Sequence, residues 1–124
     1  MTKQPSYYDT TSFEIIQRIT GDKWKILIIC HLFNRPYRFG ELLYQVDNIT
    51  KKVLTENLRE LENLGIIERN SYSGNIAKVV YTISEIGREL QPILNELMVW
   101  GVHYADHHRN ILTPPTSQNE TDVK

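Results

Sequence analysis

Residues 49–65, ITKKVLTENLRELENLG, constrain the fold more than any other stretch of the chain. Val53, Leu54, Leu58, Leu61 and Leu64 recur in steps of one, three and four, which puts them on one face of a helix with 3.6 residues per turn. Thr50 is a good N-cap, because its hydroxyl can accept one of the backbone N–H groups orphaned in the first turn. Gly65 suits the left-handed position that commonly follows a helix C-terminus. The opposite face carries Lys51, Lys52, Thr55, Glu56 and Arg59, residue types that can hold phosphates or base edges, clustered in the first half of the helix. A short amphipathic segment and a tight turn before this helix at 50–64 make the unit a helix-turn-helix.

The segments on either side support that helix. Phe13, Ile15, Ile16 and Ile19 predict a short helix closed by Thr20 and Gly21. Asp22 can cap a second helix over 23–33, whose apolar residues nearly encircle it and make it the expected central buried helix. Pro36 ends it by disfavouring a helical residue before it. Phe39, Leu42, Leu43 and Val46 predict a third helix of about two turns, and Asp47-Asn48-Ile49 is the turn, with Ile49 plugging the angle. Beyond Gly65, residues 66–69 and 78–83 are rich in β-branched and aromatic types and predict two strands. The turn-forming residues 70–75 between them make the pair a hairpin. Ser84 can cap a last long helix with Glu85 in its first turn. Ile86, Leu90, Ile93, Leu97, Trp100 and Tyr104 form its apolar stripe, and Pro92 predicts a kink or a restart. The expected fold is mainly α with a small β-hairpin wing, a winged helix-turn-helix.

With 124 residues, 40% hydrophobic and 23% charged, the chain has the length and composition of one ordinary globular domain. Residues 1–10 read as a flexible arm, 11–108 as the folded domain, and 109–124 as a disordered polar tail. Met1 to Tyr8 lacks the apolar core of a signal peptide, and the longest apolar run, 26–30, is too short to span a bilayer. A single cysteine cannot close an internal disulfide, so the expected setting is cytoplasmic. The net charge of −1 hides an asymmetry. Residues 1–82 carry eleven Lys/Arg against nine Asp/Glu, and residues 83–124 carry three against six. That distribution permits DNA binding without demanding it.

In sequence order, Gly21-Asp22-Lys23-Trp24, Arg38-Phe39-Gly40-Glu41-Leu42, Lys52-Val53-Leu54-Thr55, Leu58-Arg59-Glu60-Leu61-Glu62, Gly65-Ile66-Ile67-Glu68-Arg69, Val80-Tyr81-Thr82-Ile83-Ser84-Glu85-Ile86-Gly87 and Trp100-Gly101 make the chain similar to the HxlR family of bacterial winged-helix transcriptional regulators, relatives in fold of the MarR type. The similarity spans about Thr11 to His103. It implies a homodimeric DNA-binding regulator without enzymatic activity or cofactor, controlled through a small-molecule effector of unstated identity that changes the spacing of the two recognition helices. Two departures stand out. Thr11 occupies the place where many relatives carry a sensing cysteine, so thiol sensing is not carried over. Ile76-Ala77 stands where the wing often has two prolines.

Candidate DNA contacts are Thr50, Lys51, Lys52, Thr55 and Arg59 on the recognition helix. Arg or Lys can read guanine N7 and O6, and Thr can approach a base edge or a thymine methyl. Arg38, before the third helix, and Lys78, in the wing, are candidates for phosphate or minor-groove contact, with ordinary surface charge as the alternative. Glu56 can accept from a cytosine amino group, pair with Arg59, or simply be solvated. Glu60, Glu62 and Asn63 lie too far along the helix to be expected on bases. Phe13, Ile16, Leu97, Trp100 and Tyr104 are candidate dimer-interface residues on the N- and C-terminal helices, because so small a domain cannot cover a terminal apolar stripe. Cys30 lies in the most apolar helix, where a thiol is usually inert. His103 and His107, at i and i+4 with Asp106 and His108 alongside, read as a solvated helix end and not as a metal site, since a stable site needs more ligands in fixed geometry. No Ser-His-Asp, metal or Gly-rich phosphate constellation points to an enzyme. A protein-interaction module on the same fold is the remaining alternative.

Overall fold

The structure, a computed structural model, describes residues 10–74 and 78–108. Most of the arm at 1–10, the tail at 109–124 and the Ile76-Ala77 departure therefore lie outside the described residues. The elements are α1 (Thr10–Thr20), α2 (Lys23–Asn34), α3 (Phe39–Gln45), α4 (Lys51–Asn63), β1 (Ile67–Tyr72), β2 (Lys78–Ile83), α5 (Glu85–Arg88) and α6 (Leu90–His107). The chain divides into two units, the first ending at Glu89 and the second beginning at Leu90.

The core of the first unit is built by α2, α3, α4 and the hairpin. Ile28, Ile29, Leu32, Leu42, Leu54, Leu58, Leu61 and Ile67 are fully or almost fully buried there. Asp22 caps α2 by accepting from the N–H groups of Trp24 and Lys25. The helix is less completely enclosed than its composition predicts. Leu27 is 37% exposed and Cys30 is half-buried, because α2 packs through the side that meets α4 and β2.

β1 and β2 pair antiparallel from Ile67 opposite Ile83 to Tyr72 opposite Lys78. The first strand thus runs three residues past its expected end at Arg69. Asn70 and Ser71 are poor strand formers, yet the ladder recruits them together with Tyr72, and Asn70 Nδ2 donates to Thr82 Oγ1 on the opposite strand at 3.0 Å. Local preference is overridden by cross-strand pairing. Tyr37, in the link between α2 and α3, adds an isolated bridge to the hairpin. Its N–H donates to Tyr81 O at 3.0 Å, and Tyr81 N–H donates back to Tyr37 O at 2.8 Å.

Ser84 ties the corner after α4 to the start of α5. Its hydroxyl hydrogen is shared between the carbonyls of Gly65 and Ile66, at 2.6 and 2.8 Å, while its oxygen accepts from Gly87 N–H at 3.0 Å. Gly65 has φ of +77°, as expected past a helix end. Gly87 is required for a different reason: a Cβ there would collide with the Ile66 carbonyl oxygen.

In the second unit, α6 carries Ile93, Leu97, Met98, Val99, Trp100 and Val102 exposed, with Leu94 buried. The single long helix expected from Ser84 onward is interrupted at Glu89, three residues before Pro92. Pro92 consequently occupies the first turn of α6, where its missing N–H has no intrahelical acceptor to lose. The restart is one of the two expected outcomes, and it falls earlier than the proline itself.

Candidate nucleic-acid interface

The helix α4 begins at Thr50, whose Oγ1 accepts from Val53 N–H at 3.2 Å. The preceding turn is closed by Asn48 in the left-handed region, φ +67°, a conformation Asn tolerates better than most residues. Ile49 is buried beneath it, as the plug the turn requires. With 3.6 residues per turn, Lys51, Lys52, Thr55 and Arg59 fall within about 100° of one another around the axis. Lys51, Lys52 and Thr55 are exposed, and so is Arg59. Leu54, Asn57, Leu58 and Leu61 face the core. The apolar stripe therefore aims the polar arc outward by elimination.

An ion cluster fixes the flank of α4 between these faces. Lys25, only 7% exposed, puts its Nζ 2.7 Å from Glu60 Oε1 and 3.6 Å from Asp22 Oδ2. Arg18 of α1 approaches the other Glu60 oxygen at 3.8 Å. The hydrogen bond from Lys25 is the main reason the Glu60 carboxyl sits below the usual glutamate range. The Glu60 carboxylate is thus engaged on the protein side. Asn57 is a second polar residue turned inward. Its Nδ2 donates to Val53 O at 2.8 Å, while its buried Oδ1 has no partner among the described residues.

The other candidate contacts fall into two depressions. Thr55 and Arg59 share a small one, about 120 Å3, with Phe39, Glu62 and Arg69. Arg38 and Lys78 share a larger one, about 340 Å3, between the start of α3 and the hairpin. Lys51, Lys52 and Thr50 line neither and stand exposed at the head of α4. Glu56 and Arg59 form no ion pair among the described residues, so that alternative for Glu56 is not realised.

Arg35 and Arg38 have different fates. Arg35 stacks its guanidinium 3.8 Å from the Tyr37 ring centroid and approaches Glu41 at 3.5 Å. The Glu41 carboxyl accepts from Arg38 N–H at 2.8 Å, the main cause of its lowered pKa. Arg38 thus contributes its backbone to the cap of α3, while its guanidinium enters no ion pair among the described residues.

Sequence alone does not single out Arg69 or Tyr72, the first reading as strand and the second as turn. The extension of β1 past Arg69 is what brings Tyr72 to the larger depression, while Arg69 reaches the smaller one from within the expected strand.

The span 19–109, which holds α2, the helix-turn-helix and the hairpin, matches the model of the HxlR-like helix-turn-helix family. The chain belongs to the HxlR-like family. The HTH-type transcriptional regulator YkvN of Bacillus subtilis is 44% identical over 94 residues, covering 76% of this chain and 80% of that protein. A crystal structure of the putative HTH-type transcriptional regulator ytcD superposes with a TM-score of 0.70 at 41% identity, covering 76% of this chain and 96% of the other. A MarR-family regulator from Enterococcus faecalis V583 gives a TM-score of 0.72 at 32% identity, over 87% of this chain and 99% of the other. This HxlR-like protein is a winged-helix transcriptional regulator of the DNA-binding type and not an enzyme.

Its candidate interface residues for self-association are distributed as follows. Phe13 and Ile16 on α1, and Leu97 and Trp100 on α6, are exposed. Tyr104 is half-buried and stacks between Trp100, at 5.1 Å, and His108, at 4.2 Å between ring centroids. His103 and His107 lie 4.4 Å apart. Among the described residues, no group of three or more His, Cys, Asp or Glu is placed to hold a metal ion, and no helix is long and apolar enough to cross a membrane. Burial raises the pKa of Cys30, which disfavours the reactive thiolate.

Proposed function

We propose that this regulator acts in the cytoplasm as a homodimer on a pseudo-palindromic operator, with α4 of each subunit in a major groove and the hairpin on the flanking DNA. The observation that carries this reading is the exposed arc of Lys51, Lys52, Thr55 and Arg59, held outward by a buried leucine stripe. Thr50 starts the same helix, and Arg38 and Lys78 supply phosphate contacts beside it. Two-fold symmetry sets the half-sites about one helical turn, ~34–36 Å, apart. Self-association is supported by the exposed apolar residues of α1 and of α6, which in a lone subunit would leave large side chains such as Trp100 in water. An effector that changes the spacing of the two recognition helices would shift the population between binding-competent and incompetent dimers.

Fluorescence anisotropy with the DNA upstream of the regulator's own gene tests the reading. Saturable binding at moderate salt, weakened by Lys52→Ala and Arg59→Ala, is expected. The net charge of −1 favours the second reading, a protein-interaction module, and absent or non-saturating binding that is indifferent to both substitutions would select it. Light scattering on the wild type and on Trp100→Asp tests the dimer, and a monomeric wild type sinks the two-fold arrangement.

A further inference from the structure

We infer that Lys25 is a positioning residue for DNA recognition: through Glu60 it fixes the rotation of α4 about its own axis, and with it the direction in which Lys51, Lys52, Thr55 and Arg59 point. This role rests on the reading of α4 as the helix that enters the groove. Lys25 is only 7% exposed and so does not itself meet DNA. Its Nζ lies 2.7 Å from Glu60 Oε1 and 3.6 Å from an oxygen of Asp22, the residue that caps α2. The ammonium is therefore pinned at the first turn of the central helix, and Glu60 is held to it.

The leucine stripe holds α4 against the core but does not fix this angle. Apolar contact is non-directional, and a packed core loses its unique arrangement before it loses stability. A hydrogen bond, by contrast, weakens steeply with distance and angle. Glu60 also sits where such a bond has leverage. It follows Arg59 and is hence about 100° round the helix from it, on the flank and not on the leucine face. Rotating α4 by about 20° would carry a group ~6 Å from the axis through about 2 Å. That displacement breaks the bond to Lys25. It is also enough to take Arg59 off a base edge, where hydrogen bonds span about 2.7–3.2 Å.

The other polar side chains do not duplicate this tie. Asn57, turned inward on the same helix, donates to Val53 O within α4, and Thr50 accepts from Val53 N–H. Arg18 approaches the second Glu60 oxygen at 3.8 Å, but its side chain is exposed, and such a pair holds little in water. Charge alone predicts the opposite outcome to positioning. Removing the Glu60 carboxylate takes a negative charge off the DNA-facing helix, which by long-range electrostatics strengthens binding to any duplex. Loss of the angle weakens binding to the operator.

Anisotropy with the DNA upstream of the regulator's own gene, and with an unrelated duplex of equal length, supplies the test on the full-length wild type, Lys25→Met, Glu60→Ala and Glu60→Gln. The glutamine oxygen can still accept from the Lys25 ammonium, so Glu60→Gln is expected to stay within about threefold of the wild type on the upstream duplex. Lys25→Met and Glu60→Ala are expected to bind that duplex at least about tenfold more weakly, with no such loss on the unrelated one and the salt slope unchanged. Tighter binding of Glu60→Ala to both duplexes, or an equal loss on both for Lys25→Met, overturns the role. Backbone N–H residual dipolar couplings give a readout without DNA. Along a helix they oscillate with the helical period, and their phase reports rotation about the axis. With α2 as the frame, the α4 oscillation is expected to shift in phase or fall in amplitude in Lys25→Met and to stay in place in Glu60→Gln. Lys25→Met replaces the ion by an apolar isostere, and its urea midpoint verifies that it is folded. A wild-type phase and amplitude in Lys25→Met overturns the role. If the wild type does not prefer the upstream duplex, the DNA reading fails while the couplings still decide whether Lys25 sets the angle.

Discussion

Glu60 carries a prediction that can be worked from geometry. Lys25 is almost completely removed from water, and its ammonium has a 2.7 Å hydrogen bond to Glu60 and a longer, 3.6 Å approach to Asp22. Glu60→Ala leaves that buried charge with the weaker partner only. A hydrogen bond to a charged group is worth ~1.5–3 kcal/mol. The lower half of that range applies, because Asp22 remains and the Glu60 carboxylate is itself 40% exposed. The expected loss is about 1.5–2 kcal/mol, or roughly 6–15 °C in Tm for a domain of this size. Lys25→Met, which keeps most of the stem and removes the charge, should change stability by less than about 1 kcal/mol, since an apolar isostere often replaces a buried ion at little cost. In that background Glu60→Ala should cost almost nothing. Urea unfolding of the wild type, the two single variants and the double variant at one fixed concentration gives the cycle. If Glu60→Ala costs as much in the Lys25→Met background as in the wild type, the ion pair does not hold α4 and the reasoning fails. The pH dependence follows with its sign. The folded Glu60 carboxyl titrates below the unfolded one, so its contribution is complete above the ordinary glutamate value, about 4.3. It is lost as pH falls through the lower folded value, and the wild type should therefore lose stability over that interval more steeply than Glu60→Ala.

Gly87→Ala must displace either the Ile66 carbonyl or α5, so a loss of about 2–4 kcal/mol is expected, read as a lower urea midpoint. Serine at the same position, equally too large, should be no better. Cys30, half-buried and with its thiol pKa pushed up, should react with iodoacetamide at about neutral pH at least about tenfold more slowly than in urea, measured by mass spectrometry. For Lys78→Ala, the slope of log Kd against log salt should fall by about one, with affinity reduced similarly for all DNA sequences. A sequence-selective loss would move Lys78 from phosphate contact to base reading.

The helical frame was legible because its periods are strong. The leucine spacing of α4, the Thr50 and Asp22 caps and the Ile49 plug are each local, and each stands where the sequence places it. The hairpin was legible in outline, but its length depended on Asn70 finding Thr82 across the strand, a contact that no single-strand propensity encodes. Lys25 was illegible for a related reason. A lysine two places from a helix start looks solvated until Glu60, thirty-five positions later, is brought to it. Gly87 likewise shows its need only when the Ile66 carbonyl is in place. At the candidate interface, the arc on α4 could be read from spacing alone, whereas the grouping of Arg38 with Lys78 required the register of the hairpin.

The pair of hydrogen bonds between Tyr37 and Tyr81 has a thermodynamic consequence for recognition. They anchor the base of the hairpin to the chain that leads into α3, so the distance from that base to the helix-turn-helix is set during folding. Fewer orientations then remain to be frozen on contact with a ligand, and less of the contact free energy is consumed in ordering the protein. A duplex whose groove spacing does not suit that fixed distance must itself deform. Sequence-dependent stiffness of the DNA would then contribute to selectivity at base pairs that no side chain touches.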